Sequence, residues 1–309
     1  MIGPSVFSDR GRSAHAITLL GWVLLVVAAL VVVVIGLLIL MALLRRRDGE
    51  DGIRVDGERE GRRGILIGTG ISVLILLGTF VYTLVVLTGY DAGFRDTRLT
   101  IRVTGYRYWW ALDYLRTDGV RDFTAANEVH IPVGERVRLD LVGGDVIHSF
   151  WVPALAGKID LVPGQTNHMW IEADHPGRYY GQCAEFCGTS HANMRITVFA
   201  QSPKAFRAWE AAQRKPAGPG PGGQVLFEAR GCAACHTIRG TEAHGDAGPD
   251  LTHVGSRSTL AAGIIPNSPP RMKRWLADPD SVKPGTLMPN ADLSPRELAV
   301  MTSYLESLQ

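Results

Sequence analysis

Two long runs without a charged residue stand out in the N-terminal third of the chain. They cover residues 16–44 and 65–90. A helix needs roughly 20 apolar residues to cross the ~30 Å hydrocarbon core of a bilayer, so each run is long enough. The first run exceeds the ~7–15 apolar residues of a signal sequence, and no small-residue cleavage site follows it. The pattern predicts two transmembrane helices and a membrane anchor over residues 1–95.

The second run contains small residues, among them Gly68, Gly70 and Gly78. Small residues suit a helix that packs against other membrane helices, so a membrane partner is expected. Residues 45–64, between the two runs, hold seven arginines, against two before the first run. Because positive residues stay in the cytoplasm, we expect both termini on the periplasmic or outer side.

Beyond the second run the pattern changes to short alternating segments. "RLTIRVTGYRYWWALDY", which starts at Arg98, is rich in β-branched and aromatic residues, and later segments of the same kind are separated by glycine and proline. Several short strands at this spacing are typical of a β-sandwich or barrel of about 100 residues. We place this domain at residues 96–201.

Helical spacing returns at Ser202, which precedes Pro203 as an N-cap precedes the first helical residue. Residues 215–223, "KPAGPGPGG", are mostly proline and glycine and predict a flexible linker. The helix and the linker together cover residues 202–223. Residues 224–309 are helical in outline and end in a helix that opens with "SPRE", a capping box.

Composition and charge add one constraint. A formal net charge of +2 over 309 residues gives no reason to expect nucleic-acid binding. All four cysteines fall in two short segments, 183–187 and 232–235, so these segments decide the chemistry of the chain.

The segment "CAACH", residues 232–236, has the Cys-x-x-Cys-His pattern that attaches c-type heme. Cys232 and Cys235 would add to the porphyrin vinyl groups, and His236 would bind the iron. A redox dithiol and half of a zinc site are the alternatives. No second cysteine pair in this domain completes a zinc site, and no βαβ pattern indicates thioredoxin. The sequence therefore favours covalent heme c.

The heme iron needs a sixth ligand from further along the chain. The candidates are His244, His253, Met272, Met288 and Met301. Met272 and Met301 lie in helical stretches, where a methionine is more often part of the core. Met288 lies in the irregular segment "KPGTLMPN", and a thioether ligand would raise the heme potential. Met288 is the predicted ligand.

At this point the C-terminal domain resembles the class I cytochromes c. The segments that carry the resemblance are "GQVLFEARGCAACH", "GPDLTHVGSR" and "LMPN". The resemblance implies that Gly223 and Phe227 on the first helix cross the last helix near Tyr304. It also implies that Pro249 packs on His236.

The other cysteine segment, "GQCAEFCGTSHANM", brings Cys183, Cys187, His191 and Met194 close together in sequence. A disulfide between the two cysteines is possible in an oxidising compartment. Thiolate, imidazole and thioether together form the ligand set that selects copper for electron transfer, and two thiolates can bridge two ions. A second imidazole is available from His148, in "DVIHSFWVP" at a predicted strand end.

The whole arrangement resembles cytochrome c oxidase subunit II, the CuA subunit, in its caa-type form with a fused cytochrome c. The resemblance implies two transmembrane helices, a cupredoxin-like β-sandwich and an all-α class I cytochrome c domain. It implies a magnesium or manganese ion at the boundary with subunit I, facing the Glu185 side chain. It also implies that binuclear copper is bound by His148, Cys183, the Glu185 carbonyl, Cys187, His191 and Met194.

The chain departs from the family pattern in three places. Tyr108 stands where the family has the tryptophan that receives electrons from soluble cytochrome c, so Tyr108, Trp109 and Trp110 are candidate contacts with the donor or simply packed strand residues. "HANMRI" lacks the usual Phe before the methionine and Pro after it. Glu58 or Glu60 could open a proton channel, but their flanking residues differ, and a solvated charge is the simpler interpretation.

The resemblance implies that electrons enter a heme-copper oxidase of the bacterial inner membrane through this chain. They would pass from heme c to the copper centre and on to subunit I, where dioxygen is reduced to water. Expected partners are subunits I and III, lipid, and an upstream donor that is either cytochrome c or a quinol-oxidising complex. The alternatives are the CuA subunit of a nitric oxide reductase and a free-standing membrane-anchored electron carrier.

Overall fold

The computed structural model describes residue 7 and residues 9–44, 55–218 and 222–309, with backbone alone at 55–60 and 90–92. Helix α1 runs over Arg12–Leu44 and helix α2 over Val55–Gly93. Both helices are long and apolar enough to cross a membrane. They contain the two predicted spans. Glu58 and Glu60 lie on α2 with side chains outside the described residues, so a channel role for them stays a prediction.

The residues just before the first apolar run pack on the strand domain. The Arg10 N–H donates to the Ala154 carbonyl at 2.8 Å, and the Ala14 N–H donates to the Leu155 carbonyl at 3.2 Å. A Cβ on Gly11 would collide with the Glu172 carbonyl oxygen, so only glycine fits there. These contacts hold residues 10–14 against the strand domain.

The strand domain is a sandwich of two five-stranded sheets. One sheet has the order β3-β2-β1-β5-β8 and the other β4-β10-β9-β6-β7. β1 with β5 and β4 with β10 pair in parallel, and all other neighbours are antiparallel. The strands are β1 Leu99–Tyr106, β2 Trp109–Leu115, β3 Arg121–Ala126, β4 Glu128–Pro132, β5 Val137–Gly143, β6 His148–Trp151, β7 Ile159–Leu161, β8 Thr166–Ile171, β9 Gly177–Cys183 and β10 Arg195–Gln201.

Strict alternation builds the core of the sandwich. In β2, Trp110, Leu112 and Tyr114 are buried while their neighbours are half-exposed, and β5 alternates in the same way. Alternate residues of a strand point to opposite faces of a sheet. Apolar residues on the inner faces therefore meet between the sheets, and the predicted cupredoxin-like β-sandwich is confirmed.

Helix α3, Pro203–Gln213, closes one side of the sandwich through an aromatic stack around His130. The His130 ring lies 4.1 Å from the Trp209 ring and 4.7 Å from the Phe199 ring, nearly parallel to both. Its Nδ1 lies 3.0 Å from Gln201 Oε1. Burial lowers the pKa of His130 to about 4, so the imidazole is neutral in the folded protein at physiological pH.

This buried histidine predicts a loss of stability in acid. Unfolded histidine titrates near 6.5, so below that pH the unfolded chain binds more protons, and stability falls as pH falls through the folded pKa of His130. The full pKa shift of His130 corresponds to a loss of about 3 kcal/mol in the free energy of unfolding between pH 6.5 and 4. The measurement is the free energy of unfolding against pH in detergent. His130→Phe keeps the aromatic stack and should lack this component, while identical pH profiles would contradict the assignment.

The C-terminal domain is built from four helices and a short two-stranded ribbon, β11 Thr259–Leu260 and β12 Ile265–Pro266. The first and last helices cross where a Cβ on Gly223 would collide with the Tyr304 side chain. Phe227 meets the Tyr304 ring edge-on at 6.1 Å. This crossing and the Ser294–Glu297 capping box agree with the sequence expectation. The helices are α4 Gly223–Ala229, α5 Pro269–Ala277, α6 Pro279–Val282 and α7 Pro295–Ser307.

The described part of the Pro/Gly segment differs from a free linker. The Ala217 N–H donates to the Arg239 carbonyl at 2.8 Å, and His253 Nε2 lies 3.1 Å from the Lys215 carbonyl oxygen. The Arg239 guanidinium also donates to the Gln213 carbonyl at 2.6 Å. Because these backbone groups find partners on the C-terminal domain, the chain is held to that domain at Gln213, Lys215 and Ala217. Residues 219–221 lie outside the described residues.

Candidate copper and heme sites

Three strand ends of the second sheet meet at one edge of the sandwich. His148 is the first residue of β6, Cys183 is the last of β9, and Met194 directly precedes β10. β9 is antiparallel to both of its neighbours, so the start of each neighbour lies beside the end of β9. Strand pairing thus brings His148 to a cysteine that is 35 residues away in sequence.

The loop between β9 and β10 gathers its donor atoms around Cys187. The Cys187 sulfur lies 3.6 Å from His191 Nδ1 and 4.0 Å from the Met194 sulfur. It lies 3.9 Å from the sulfur of Cys183. Both sulfurs can lie about 2.3 Å from one ion, the length of a zinc–thiolate bond, at this separation. A disulfide needs about 2.05 Å, and both cysteines are free thiols, so the disulfide alternative is not formed.

Cys183 adds the remaining donors on its own side of the cluster. Its sulfur lies 3.8 Å from His148 Nδ1 and 3.2 Å from the carbonyl oxygen of Glu185. The donor atoms of His148, Cys183 and Cys187 all lie within 4.8 Å of one another, and all three side chains are buried. The structure thus brings together every residue predicted to bind copper.

The protonation of the two thiols is unequal. The neighbouring Cys187 thiol, with His148, lowers the pKa of Cys183, while the presence of Cys183 raises the pKa of Cys187. Burial opposes protonation of His148, but its contacts with Cys183 and Asp145 outweigh burial and raise its pKa. One thiol of the pair therefore ionises first. A bound cation is what would favour the thiolate form of both.

Asp145 is a functional candidate that the sequence analysis missed. Its carboxylate lies 2.8 Å from His148 Nε2 and accepts a hydrogen bond of 2.8 Å from the Arg107 N–H. With Nε2 held by the carboxylate, Nδ1 is the ring atom that faces the cysteines. Carboxylates commonly orient metal-binding histidines in this way. The available signal was the segment "DVIH", which places an acid three residues before the histidine.

A cavity lies between the sandwich and the C-terminal domain. From the C-terminal domain it is lined by Cys235, His236 and Met288, and from the sandwich by Tyr106 and Trp109. The two thiols of the Cys-x-x-Cys-His segment are unpaired, as attachment to a porphyrin requires. The cavity joins the predicted proximal and distal ligands, so its lining fits a heme.

His236 is oriented by two neighbours on the proximal side. Its Nδ1 lies 2.8 Å from the Pro249 carbonyl oxygen, which leaves Nε2 to bind a metal. A Cβ on Gly248 would lie 2.6 Å from the ring, so glycine is needed for this close approach. Burial lowers the pKa of His236, which keeps the imidazole in the neutral form that binds iron.

Of the sixth-ligand candidates, Met272 and Met288 line the cavity. Met272 is 1% exposed and belongs to the apolar core of the domain, whereas Met288 is half-buried in the loop before α7. Within the described residues, His244, His253 and Met301 do not line the cavity. The geometry favours Met288, and its role as ligand stays a prediction.

Of the aromatic residues at 108–110, Trp109 lies at the cavity and Trp110 lies beside the predicted copper ligand His148. Trp109 stacks on Tyr106 at 5.0 Å and lines the cavity. Trp110 is fully buried and packs edge-on against His148 at 6.1 Å. Tyr108 is 7% exposed. Because neighbouring residues of β2 point to opposite faces, Trp109 and Trp110 connect the cavity with a predicted copper ligand.

Comparison with protein families matches two parts of the chain. Residues 107–201 match the family described as "Cytochrome C oxidase subunit II, periplasmic domain". Residues 222–309 match the family described as "Cytochrome c". The two matched parts correspond to the sandwich and to the C-terminal domain, and they imply copper in the first and heme in the second.

Two similar proteins are both named cytochrome c oxidase subunit 2. Cytochrome c oxidase subunit 2 of Alkalihalophilus pseudofirmus is 40% identical over 245 residues, covering 77% of this chain and 69% of that protein. The protein of the same name from Bacillus sp. (strain PS3) is 31% identical and covers 86% of this chain and 80% of its own length. Among solved structures, the periplasmic domain of subunit II of Bradyrhizobium japonicum cytochrome oxidase is 34% identical, with a TM-score of 0.36, and covers 38% of this chain and 94% of that chain.

Proposed function

Because the chain belongs to the cytochrome c oxidase subunit II family, we propose that electrons enter a heme-copper oxidase through it. Each bound group would take up and release one electron at a time, with heme c as donor, a binuclear copper centre as acceptor and subunit I as the site of dioxygen reduction. The chain is thus part of an oxidoreductase complex, membrane-anchored with periplasmic domains. The observation that carries the proposal is the gathering of thiol, imidazole and thioether donors at the edge of the sandwich, together with the cavity between the sandwich and the cytochrome domain.

The copper-binding residues would hold the metal in one geometry. Cys183 and Cys187 would bridge, His148 and His191 would each bind one ion, and Met194 with the Glu185 carbonyl would complete the two coordination spheres. Support comes from the buried cluster and from the hydrogen bonds between protein groups that fix it. A rigid ligand set costs little reorganisation when charge changes, which suits an electron relay.

The heme-binding residues would hold the heme in a fixed position in the cytochrome domain. Cys232 and Cys235 would fix the porphyrin covalently, and the Pro249 carbonyl would keep His236 aimed at the iron. Met288 would bind from the opposite side. We propose Tyr108, Trp109 and Trp110 as the aromatic contacts between the two centres, supported by the positions of Trp109 and Trp110.

The ligand loop also provides a face for subunit I. Phe186, next to Glu185, is 77% exposed although it is a large apolar side chain. A single exposed apolar side chain is common on protein surfaces, so the match to the oxidase subunit II family is the main support for this assignment. We propose that this loop faces subunit I, with the Glu185 carboxylate toward a magnesium or manganese ion at the boundary.

Purification of the complex from membranes in detergent tests the proposal. We expect a large multi-helix subunit to co-purify, with two copper ions and one heme c for each copy of this chain. A mixed-valence dicopper EPR signal should accompany the heme c absorption bands, and the complex should reduce dioxygen. Heme c without the dicopper signal would refute the copper assignment. Nitric oxide reduction by a partner with non-heme iron, or isolation without a partner, would favour the two alternatives.

A further inference from the structure

A buried carboxylate joins the sandwich to the cytochrome domain. Glu128, the first residue of β4, is 5% exposed. It accepts hydrogen bonds from the backbone N–H groups of Ser258 and Thr259 at 3.0 and 2.9 Å, and from their hydroxyls at 2.6 and 2.9 Å. A buried carboxylate is costly unless donors surround it. All four of these donors belong to the other domain, so this charge is satisfied only when the cytochrome domain lies on the sandwich.

A buried lysine of the cytochrome domain reaches the backbone of the sandwich. Lys283 follows α6 in the cytochrome domain and is 3% exposed. Its Nζ donates to the Tyr108 carbonyl at 2.6 Å and to the Ala261 carbonyl at 3.0 Å. The lysine therefore reaches from one domain to the backbone of the other. Burial lowers the pKa of Lys283 to about 7, and the amine donates hydrogen bonds in either protonation state.

A third contact joins the two ligand loops directly. Ser190, in the copper-ligand loop, is fully buried and donates to the Pro284 carbonyl. The Arg195 N–H, at the start of β10, donates to the Ala262 carbonyl at 3.1 Å. Pro284 lies four residues before Met288. The loop that would bind copper and the loop that would bind heme iron are thus hydrogen-bonded to each other.

These contacts differ from those of a surface made for brief encounters. Burying a charged group costs desolvation free energy at every association, so charged groups at a transient interface are better placed at its solvated rim. Glu128 is instead buried among donors from the opposite domain, and buried Lys283 has one of its two acceptors, the Tyr108 carbonyl, on the opposite domain. The linker residues are also fastened to the cytochrome domain. A freely moving tether, which would raise only the effective concentration, is therefore a poorer description of this chain.

We propose, on the basis of the electron-transfer function above, that Glu128 and Lys283 are positioning residues that hold the heme domain in one docked place over the copper loop. Transfer between the two centres then occurs within a docked chain, not by repeated collisions of a tethered domain.

The test uses the complete oxidase complex in detergent. A photoexcited ruthenium tris-bipyridine reduces heme c, and reoxidation of heme c is followed together with the near-infrared copper band. In the wild-type chain we expect a rate that does not change when glycerol raises the viscosity. Glu128→Ala should slow transfer by about tenfold or more, since misplacement by about 1 Å can cost a hundredfold, and should make the rate viscosity-dependent. Glu128→Gln keeps one acceptor oxygen, so its transfer rate should lie between those of the wild-type and Glu128→Ala chains.

Asp118→Ala is the matched control, because Asp118 is an exposed carboxylate paired with Arg116 beyond the far end of β2. Copper content, heme content, spectra and potentials should be unchanged in all variants. If Glu128→Ala loses either metal centre, the double variant Ser258→Ala/Thr259→Val replaces it in the test. That variant removes only the two hydroxyl donors, and it too should show slower transfer that depends on viscosity.

Wild-type transfer that slows with viscosity, or variant transfer at the wild-type rate, would overturn the docking proposal. Failure of heme c to reduce copper in the wild-type chain would instead refute the proposed function.

Discussion

Replacing Cys187 by serine is expected to abolish the copper centre and leave heme c in place. The Cys187 sulfur lies within 4.0 Å of the sulfurs of Cys183 and Met194 and of His191 Nδ1, so it is the donor shared by most of the cluster. A serine hydroxyl is a hard, protonated oxygen and cannot bridge as a thiolate does. Loss of a residue that only hydrogen-bonds to a metal ligand costs about 10–100-fold in metal affinity. Loss of a ligand that bridges the ions should cost more. Copper analysis, EPR and oxygen consumption measure the effect.

Met194→Leu is the matched control for this prediction. It removes a fully buried thioether while keeping a side chain of similar volume. The weak axial ligand tunes potential more than it holds the metal, so the copper count should stay near wild type while the copper spectrum and potential change. The cysteine variant should retain its heme c bands, because the cytochrome domain has its own core. An unchanged copper count in the Cys187→Ser chain would refute the ligand assignment.

The cluster of proposed copper ligands could be predicted because most of its residues are close in sequence. Cys183, Cys187, His191 and Met194 lie in one loop, and their residue types already specify the metal class. His148 required one further step, since only antiparallel pairing of β6 with β9 brings it to the site. Sandwich strands and helix caps were equally local signals, as the alternation of buried and half-exposed residues in β2 and the capping box of α7 demonstrate.

The interface between the domains could not be predicted, because its contacts are distant in sequence. Glu128 accepts from Ser258 across 130 residues, and a lone acid at a strand start looks like a solvated charge. Lys283 likewise looks like a surface residue until its Nζ is found on the Tyr108 carbonyl, 175 residues away. Proline and glycine in the linker predicted freedom, because composition does not reveal which backbone groups find partners after folding.

Substituting Met288 by leucine is expected to lower the reduction potential of heme c by on the order of 0.1 V or more, because thioether ligation raises heme potentials. Met288 lies in the loop that ends at α7, on the same cavity as His236 and Cys235. Leucine keeps the apolar volume but removes the sulfur, so the fold should persist while the iron loses its sixth ligand. A redox titration of the heme absorption bands measures the change. Because heme c is the proposed donor, its lower potential should make electron transfer to copper more favourable and the reduction of heme c by the upstream donor less favourable.

Met272→Leu is the control that separates ligand loss from core packing. Met272 also lines the cavity, but it is 1% exposed and packed in the core of the cytochrome domain. A methionine-to-leucine exchange in a core usually costs less than about 1.5 kcal/mol and should leave the heme potential near its wild-type value. The covalent attachment through Cys232 and Cys235 should survive in both variants, so heme content can be compared directly. A lowered potential in the Met272 variant with an unchanged one in the Met288 variant would transfer the ligand assignment to Met272.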